Sequence, residues 1–174
     1  EPHDARMRAA GALYIGKTNV PEFGLGSHSY NPVFGVTRNP YAPHLSAGGS
    51  SGGAAAALAA GMMTLADGSD MMGSLRNPAG WCNVFGMRPS HGLVPGVPGG
   101  DLYLHKLSTR GPMARDPDDL ALFLGVLTGS KDFEGLEPRL ANLRVGWLGD
   151  WGGAFHMETG FLQLCDHALG VMEG

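Results

Sequence analysis

Only two cysteines occur in the 174 residues, Cys82 and Cys165. They stand far apart, and neither is accompanied by metal-ligand spacing. That excludes a disulfide framework and a clustered metal site, and makes a reduced, cytoplasmic compartment the expected one. Charge is also scarce. Charged residues make up 16% of the chain, the net charge is -4, and no basic block occurs. The electrostatic footprint of a nucleic-acid partner is therefore missing. No apolar run reaches the length of a membrane span. The opening EPHDARMRAAG lacks the signal-peptide order of charge, apolar core and cleavage site.

What is present is globular. Hydrophobic residues make up 43% of the sequence, enough for one domain with a real core. The 29 glycines and 12 prolines imply many tight turns and close backbone approaches. The chain opens without a methionine, inside a helix, and stops as another helix ends. The expectation is a single α/β domain over residues 1–174 that forms part of a larger chain cut at both ends. Self-association into a homo-oligomer stays open.

In chain order, Asp4 to Ala10 reads as the end of an amphipathic helix stopped by Gly11. Ala12 to Ile15 reads as a short apolar strand. Asn19 to Ala47 is a long passage punctuated by Gly, Pro and Asn, of the kind that is functional or carries short elements of its own. His28 and His44 fall there as loop residues. An alanine-rich helix follows at Ala54 to Ala60, then a short apolar piece, Met63 to Ala66. Asn83 to Arg88 reads as a strand, and Pro89 to Gly100 as a loop. Asp116 to Leu127 is the clearest helix, with an aspartate-rich first turn and Gly129 at its end. Leu143 to Leu148 reads as a strand. Met157 to Glu173 reads as a last helix with Phe161, Leu162, Leu164, Cys165, Leu169 and Met172 inward, Cys165 being core filler. Helices alternating with short apolar strands give an α/β fold, a mostly parallel or mixed β-sheet core flanked by helices.

Two motifs mislead. Gly11 to Thr18, GALYIGKT, fits the phosphate-loop pattern, but its inner residues read as a buried strand, and Pro21 prevents a helix from starting directly after Thr18. Lys17 is then a structural residue at a strand end. Gly49 to Gly53 fits the nucleophile-elbow pattern centred on Ser51, but that elbow must follow a buried strand, and NPYAPHLSA is not one.

Gly48 to Arg76 holds the chemistry. The run Gly48 to Gly53 has too little side chain to serve as packing, and suits a backbone that takes unusual dihedrals or approaches a ligand. Taken alone, it reads better as a glycine-rich connection with Ser50 or Ser51 capping the next helix. The second small-residue turn, Asp70 to Ser74, shifts that balance. A serine in a sharp turn exposes its hydroxyl while neighbouring N–H groups converge, as an oxyanion hole requires. The intervening helix and strand run out and back, so Ser50 and Ser74 can meet. A serine still needs a base to take its proton.

GGSSGG followed by GSD..GS.R.PA..C resembles the signature of the amidase signature enzymes. The likeness runs from about Gly11 through Gly129 and takes in Arg38-Asn39-Pro40, Pro78-Ala79, Gly86 to Ser90 and Gly111 to Arg115. The resemblance implies the partial amidase signature fold and hydrolysis of an amide, or a carbamate, by a Ser-Ser-Lys arrangement. Ser74 would be the nucleophile. Ser50, on a cis peptide bond, would relay its proton to a neutral lysine. Backbone N–H groups of Met71, Met72, Gly73 and Ser74 would form the oxyanion hole. Ser51 would bond within the Gly-Ser loop, and Asp70 and Arg76 would fix the turn. Phe23, Gly24 and Leu25 would line the acyl side of the pocket; read from the residues alone, the stretch is equally an ordered surface loop with Phe23 tucked into the core. A small-molecule substrate is implied, esters being side substrates, and no metal or organic cofactor. Some relatives transfer ammonia within a larger complex.

Two departures stand out. The family's lysine lies further upstream than the residues preceding Ser50; Lys17, Lys106 and Lys131 are not its equivalent, so the base is expected outside this chain. Met72 stands where the family usually has the first of two glycines. If that position needs φ above zero, a methionine is strained there and enters the oxyanion region. The alternative to a hydrolase is a non-catalytic remnant or binding subunit that keeps the fold.

Overall fold

The computed structural model describes residues 2–96, 106–133, 135 and 144–173. They fall in two compact units, Glu1–Glu134 and Gly135–Gly174.

In the first unit, helix α1 (Pro2–Ala9) ends at Gly11, whose φ of 82° is the left-handed stop expected there. Ala12 to Ile15 does not form a strand: Leu13 is 90% exposed and Ile15 70%. Among the described residues no neighbouring strand pairs with it, and an apolar run without a ladder has no reason to stay extended. Lys17 is exposed in the same irregular stretch. The next element is only a 3-10 turn, Glu22–Gly24, so the helix that a phosphate loop needs is absent. The passage after it carries a short antiparallel hairpin, β1 (Tyr30–Asn31) with β2 (Gly35–Val36).

Helix α2 (Gly52–Ala59) is buried on nearly every side, which its Gly/Ala sequence allows. A Cβ on Gly53 would lie 2.4 Å from the backbone N and O of Asn19. The main sheet has the order β3-β5-β4, built from β3 (Leu65–Asp70), β4 (Phe85–Gly86) and β5 (Thr109–Ala114). Its ladders are antiparallel, from Leu65↔Ala114 to Asp70↔Thr109 on one side and from Phe85↔Ala114 to Gly86↔Met113 on the other. The α/β class stands, with small sheets and helices, and the described ladders run antiparallel rather than parallel.

Helix α3 (Arg76–Trp81) follows the serine turn. Asn83 takes a φ of 53°, and Val84 N–H closes back on Ala79, so the chain is still leaving the helix where a strand was expected to begin. β4 is therefore two residues long. Helix α4 (Pro117–Thr128) follows its sequence closely, from an Asp116 cap accepting from Asp119 N–H to Gly129 at φ 70°. One core joins α2, β5 and α3 through Ala54, Ala55, Leu58, Leu75, Ala79, Cys82 and Met113. A second joins α1 to α4 through Met7, Phe123, Leu124 and Leu127.

The second unit holds α5 (Phe161–Glu173). Leu162, Cys165 and Leu169 are half-buried along one stripe, whereas Phe161, Leu164 and Met172, expected inward, are exposed. Residues 144–148 form no strand, and residue 143 of the expected strand lies outside the described residues. Among the described residues no helix is long and apolar enough to cross a membrane.

Candidate active site

The Gly-Ser loop between residues 48 and 53 is fixed from both sides. Its Gly49–Ser50 peptide bond is cis, and both Ser50 and Ser51 are buried. A Cβ on Gly49 would sit 2.8 Å from the His28 backbone nitrogen, so only glycine lets that segment lie flat on the loop. On the other face Gly48, at φ 78°, packs on the Pro78 backbone and the Trp81 ring. Ser51 turns its hydroxyl onto β3, within 3.4 Å of both the N–H and the C=O of Ser69. A Cβ on Gly68 would occupy that place.

The second turn is organised by Asp70, which is fully buried at the end of β3. Its Oδ1 accepts from Gly73 N–H at 2.7 Å, and its Oδ2 accepts from Leu75 N–H at 3.2 Å and Arg76 N–H at 3.4 Å. The Arg76 guanidinium adds a two-pronged pair at 2.9 and 3.0 Å, and Arg88 Nε stands 3.7 Å from Oδ1. Burial alone would raise the Asp70 pKa, but the Arg76 bonds and the three N–H donors outweigh it and hold the carboxyl down to about 2. The carboxylate is thus a fixed anion that folds residues 73–76 around itself.

The two serines are brought together by this arrangement. Ser51 N–H donates to the Ser74 carbonyl at 3.2 Å, which sets the Ser50–Ser51 peptide against the turn holding Ser74. Ser74 is half-buried. Among the described residues the N–H groups of Met71, Met72 and Ser74 carry no hydrogen bond, while that of Gly73 is taken by Asp70. The positive φ of the turn belongs to Gly73, at 112°, where a Cβ would clash with the Asn77 side chain. Met72 is not among the positive-φ residues, and its side chain is 84% exposed. The strain expected at Met72 is therefore absent: the turn needs its glycine one residue later.

Phe23 is 92% exposed and Leu25 79%. Phe23 and Gly24 both have positive φ, in a turn closed by local bonds to Pro21 and Glu22. Phe23 is not tucked into the core, because the left-handed backbone aims it outward. The passage before it is tied to the site at Asn19, whose carbonyl accepts from Gly53 N–H. Lys17, Lys106 and Lys131 are exposed, and among the described residues none makes a hydrogen bond or ion pair. Among the described residues no group of three or more His, Cys, Asp or Glu side chains is placed to hold a metal ion. His28 Nδ1 lies 2.8 Å from Ser46 Oγ, and its ring leans on Trp81.

Sequence reasoning missed Ser29, Asn19 and Arg88. Ser29 Oγ donates to the Ser50 carbonyl and accepts from Gly52 N–H. Asn19 and Arg88 lie within the stretch of family likeness, Arg88 in Gly86 to Ser90, whereas no motif marks Ser29; each of the three reaches the site only through the folded chain.

A serine turn tied through the backbone to a second serine-bearing loop, with unbonded N–H groups in it, is suited to acyl transfer. The Amidase family model matches residues 4–143. A glutamyl-tRNA(Gln) amidotransferase subunit from Saccharolobus solfataricus is 42% identical over 86% of this chain and 34% of its own. An acylamidase of Rhodococcus erythropolis is 38% identical over 97% of this chain and 38% of its own. Among solved structures, a bacterial aryl acylamidase of the amidase signature enzymes superposes with a TM-score of 0.67 at 38% identity, over 72% of this chain and 26% of that one. The chain spans about a third of the length of the curated relatives it matches.

Proposed function

The chain belongs to the amidase signature family, and on that premise we propose that it carries the two-serine half of a hydrolase cleaving the C–N bond of an amide or carbamate. Ser74 Oγ attacks the carbonyl carbon as its proton passes through Ser50 to a neutral lysine supplied outside this chain. The oxyanion lies against the N–H groups of Met71, Met72 and Ser74, which have no other partner among the described residues. Gly73 N–H acts indirectly: by donating to Asp70 it keeps the turn open for the other three. Collapse expels the amine, which takes the proton back through Ser50, and water then hydrolyses the acyl-enzyme on Ser74. Phe23, Gly24 and Leu25, with Met71, give the acyl side an apolar rim. The two compact units belong to one larger amidase domain.

The observation that carries this reading is the Ser51 N–H bond to the Ser74 carbonyl, which holds the two serine turns together. Labelling of the full-length protein with a fluorophosphonate, followed by mass spectrometry of the labelled peptide, tests it. The adduct is expected on Ser74. Ser74→Ala should abolish labelling and lower turnover by about 10⁶-fold, the order seen when a nucleophilic serine is removed. Normal labelling and turnover in that variant would sink the assignment.

A further inference from the structure

A glycine-rich loop cannot hold a catalytic side chain in place by itself, because glycine restricts neither its own dihedrals nor its neighbours' packing. What fixes the loop must lie outside it. Ser29, from the passage before β1, is 1% exposed and makes three hydrogen bonds to alternate residues of the loop. Its N–H donates to the Gly48 carbonyl at 3.0 Å, its Oγ donates to the Ser50 carbonyl at 3.0 Å, and the same Oγ accepts from Gly52 N–H at 2.9 Å. Ser29 is itself held, its carbonyl accepting from Thr37 N–H at 2.8 Å.

The contact is close enough to dictate sequence. A Cβ on Gly52 would lie 2.5 Å from Ser29 Oγ, so the glycine there makes room for this hydroxyl. Ser51, the residue at the N-cap of α2, makes no side-chain cap bond; Ser29 supplies it from a distance. A cap needs only an acceptor, which would leave the hydroxyl hydrogen of Ser29 idle. Here that hydrogen goes to the carbonyl of Ser50. One hydroxyl therefore ties the peptide plane following Ser50 to the first turn of a buried helix.

We propose that Ser29 is a positioning residue for Ser50, setting the direction of the Ser50 hydroxyl through the Ser50 carbonyl and Gly52 N–H. The inference rests on Ser50 being the proton relay to Ser74. Without the Ser29 hydroxyl, the Ser50 carbonyl and Gly52 N–H lose their shared partner and the peptide plane between Ser50 and Ser51 is freed. Relay through Ser50 then needs a geometry the loop holds only part of the time, and reactions at Ser74 slow even when the protein stays folded.

The experiment is the rate of fluorophosphonate labelling of Ser74 in the full-length protein, expressed per folded molecule, with the folded fraction taken from a thermal melt. Ser29→Ala is expected to label about 10-fold or more slowly, and Ser29→Thr, which keeps the hydroxyl, to stay within a few-fold of the unaltered protein. If Ser29→Ala does not fold, Ser29→Cys takes its place, filling the same space with a weak donor and acceptor, and the same slowing is expected. A wild-type rate per folded molecule in these variants overturns the proposal and leaves Ser29 a packing residue. Absence of label on Ser74 in the unaltered protein overturns the reading beneath it, a result distinct from a labelled Ser74 indifferent to Ser29.

Discussion

Asp70 shows how much one buried carboxylate organises. Among the described residues it makes no hydrogen bond to a serine hydroxyl, yet three N–H groups of the Ser74 turn and one guanidinium converge on it. Its pKa is held at about 2, below the ordinary carboxylate value of about 3.9. A depressed folded-state pKa adds stability that is fully present above the unfolded value and is lost as pH falls through the folded one. The Asp70 share should therefore be intact above about pH 4 and gone near pH 2, an amount on the order of 2 kcal/mol. Asp70→Asn should remove that acid-dependent share and lower stability near neutral pH by roughly 2–4 kcal/mol, because Arg76 and Arg88 lose their counter-charge. Urea unfolding of the full-length protein from pH 3 to 7 measures both. An unchanged acid limb in Asp70→Asn would mean another group governs it. The pairing of Asp70 with Arg76 was legible from their spacing around Ser74. The need for glycine at residue 73 rather than 72 was not, because which residue of a four-residue turn crosses to positive φ depends on where Asp70 pulls the N–H groups. Ser29 was illegible for a related reason: its partners lie about twenty residues away, and nothing nearby in the sequence announces them.

Elements read well where their signals are local and poorly where they depend on a partner. Helix α4 has an aspartate cap, Pro117 in its first turn and a left-handed Gly129, all visible in the sequence. Arg6 of α1 then completes it by donating to the carbonyls of Leu127 and Thr128 at its C-terminal end. Asp116→Ala should cost about 1 kcal/mol, the usual loss for an N-cap, lowering the melting temperature without changing fluorophosphonate labelling of the folded protein. A fall in labelling would tie α4 to the site more directly than its packing suggests. Strand β5 is the opposite case. Its sequence, TRGPMA, looks like a turn, since proline lacks a ladder donor. In the fold, Pro112 O accepts from Met87 N–H at 3.1 Å, and no N–H is available to return the bond. The β4 side of the ladder stops at Gly86↔Met113, beside this proline, while β3 runs the full length of the other side. A Cβ on Gly111 would stand 2.2 Å from Met87 O, so the neighbouring glycine is what admits the crossing chain. Conversely, Ala12 to Ile15 has strand-like residues and no strand to pair with among those described, and it stays irregular.

At the scale of the whole molecule, the pattern of exposure sets the last expectation. Leu13, Ile15, Phe23, Leu25, Val33 and Phe34 are each 70% or more exposed, and all six precede the Gly-Ser loop. Single exposed apolar residues are ordinary, but many in one stretch mark surface that binds something. The curated relatives are about three times as long as the share this chain matches, which makes further polypeptide the natural cover. The proposed chemistry points the same way, since a Ser74 nucleophile relayed through Ser50 would need a base and the three lysines present are exposed and unbonded among the described residues. Expressed by itself, the 174-residue chain should bind an apolar dye such as anilinonaphthalene sulfonate strongly, and its Ser74 should not react with fluorophosphonate. The full-length protein should reverse both results. The two readouts separate the causes. Dye binding without labelling in the short chain, together with labelling in the long one, locates cover and base in the additional sequence. Labelling of Ser74 in the short chain at the full-length rate would instead place the base among these 174 residues, and Lys17→Ala, Lys106→Ala and Lys131→Ala would then identify it.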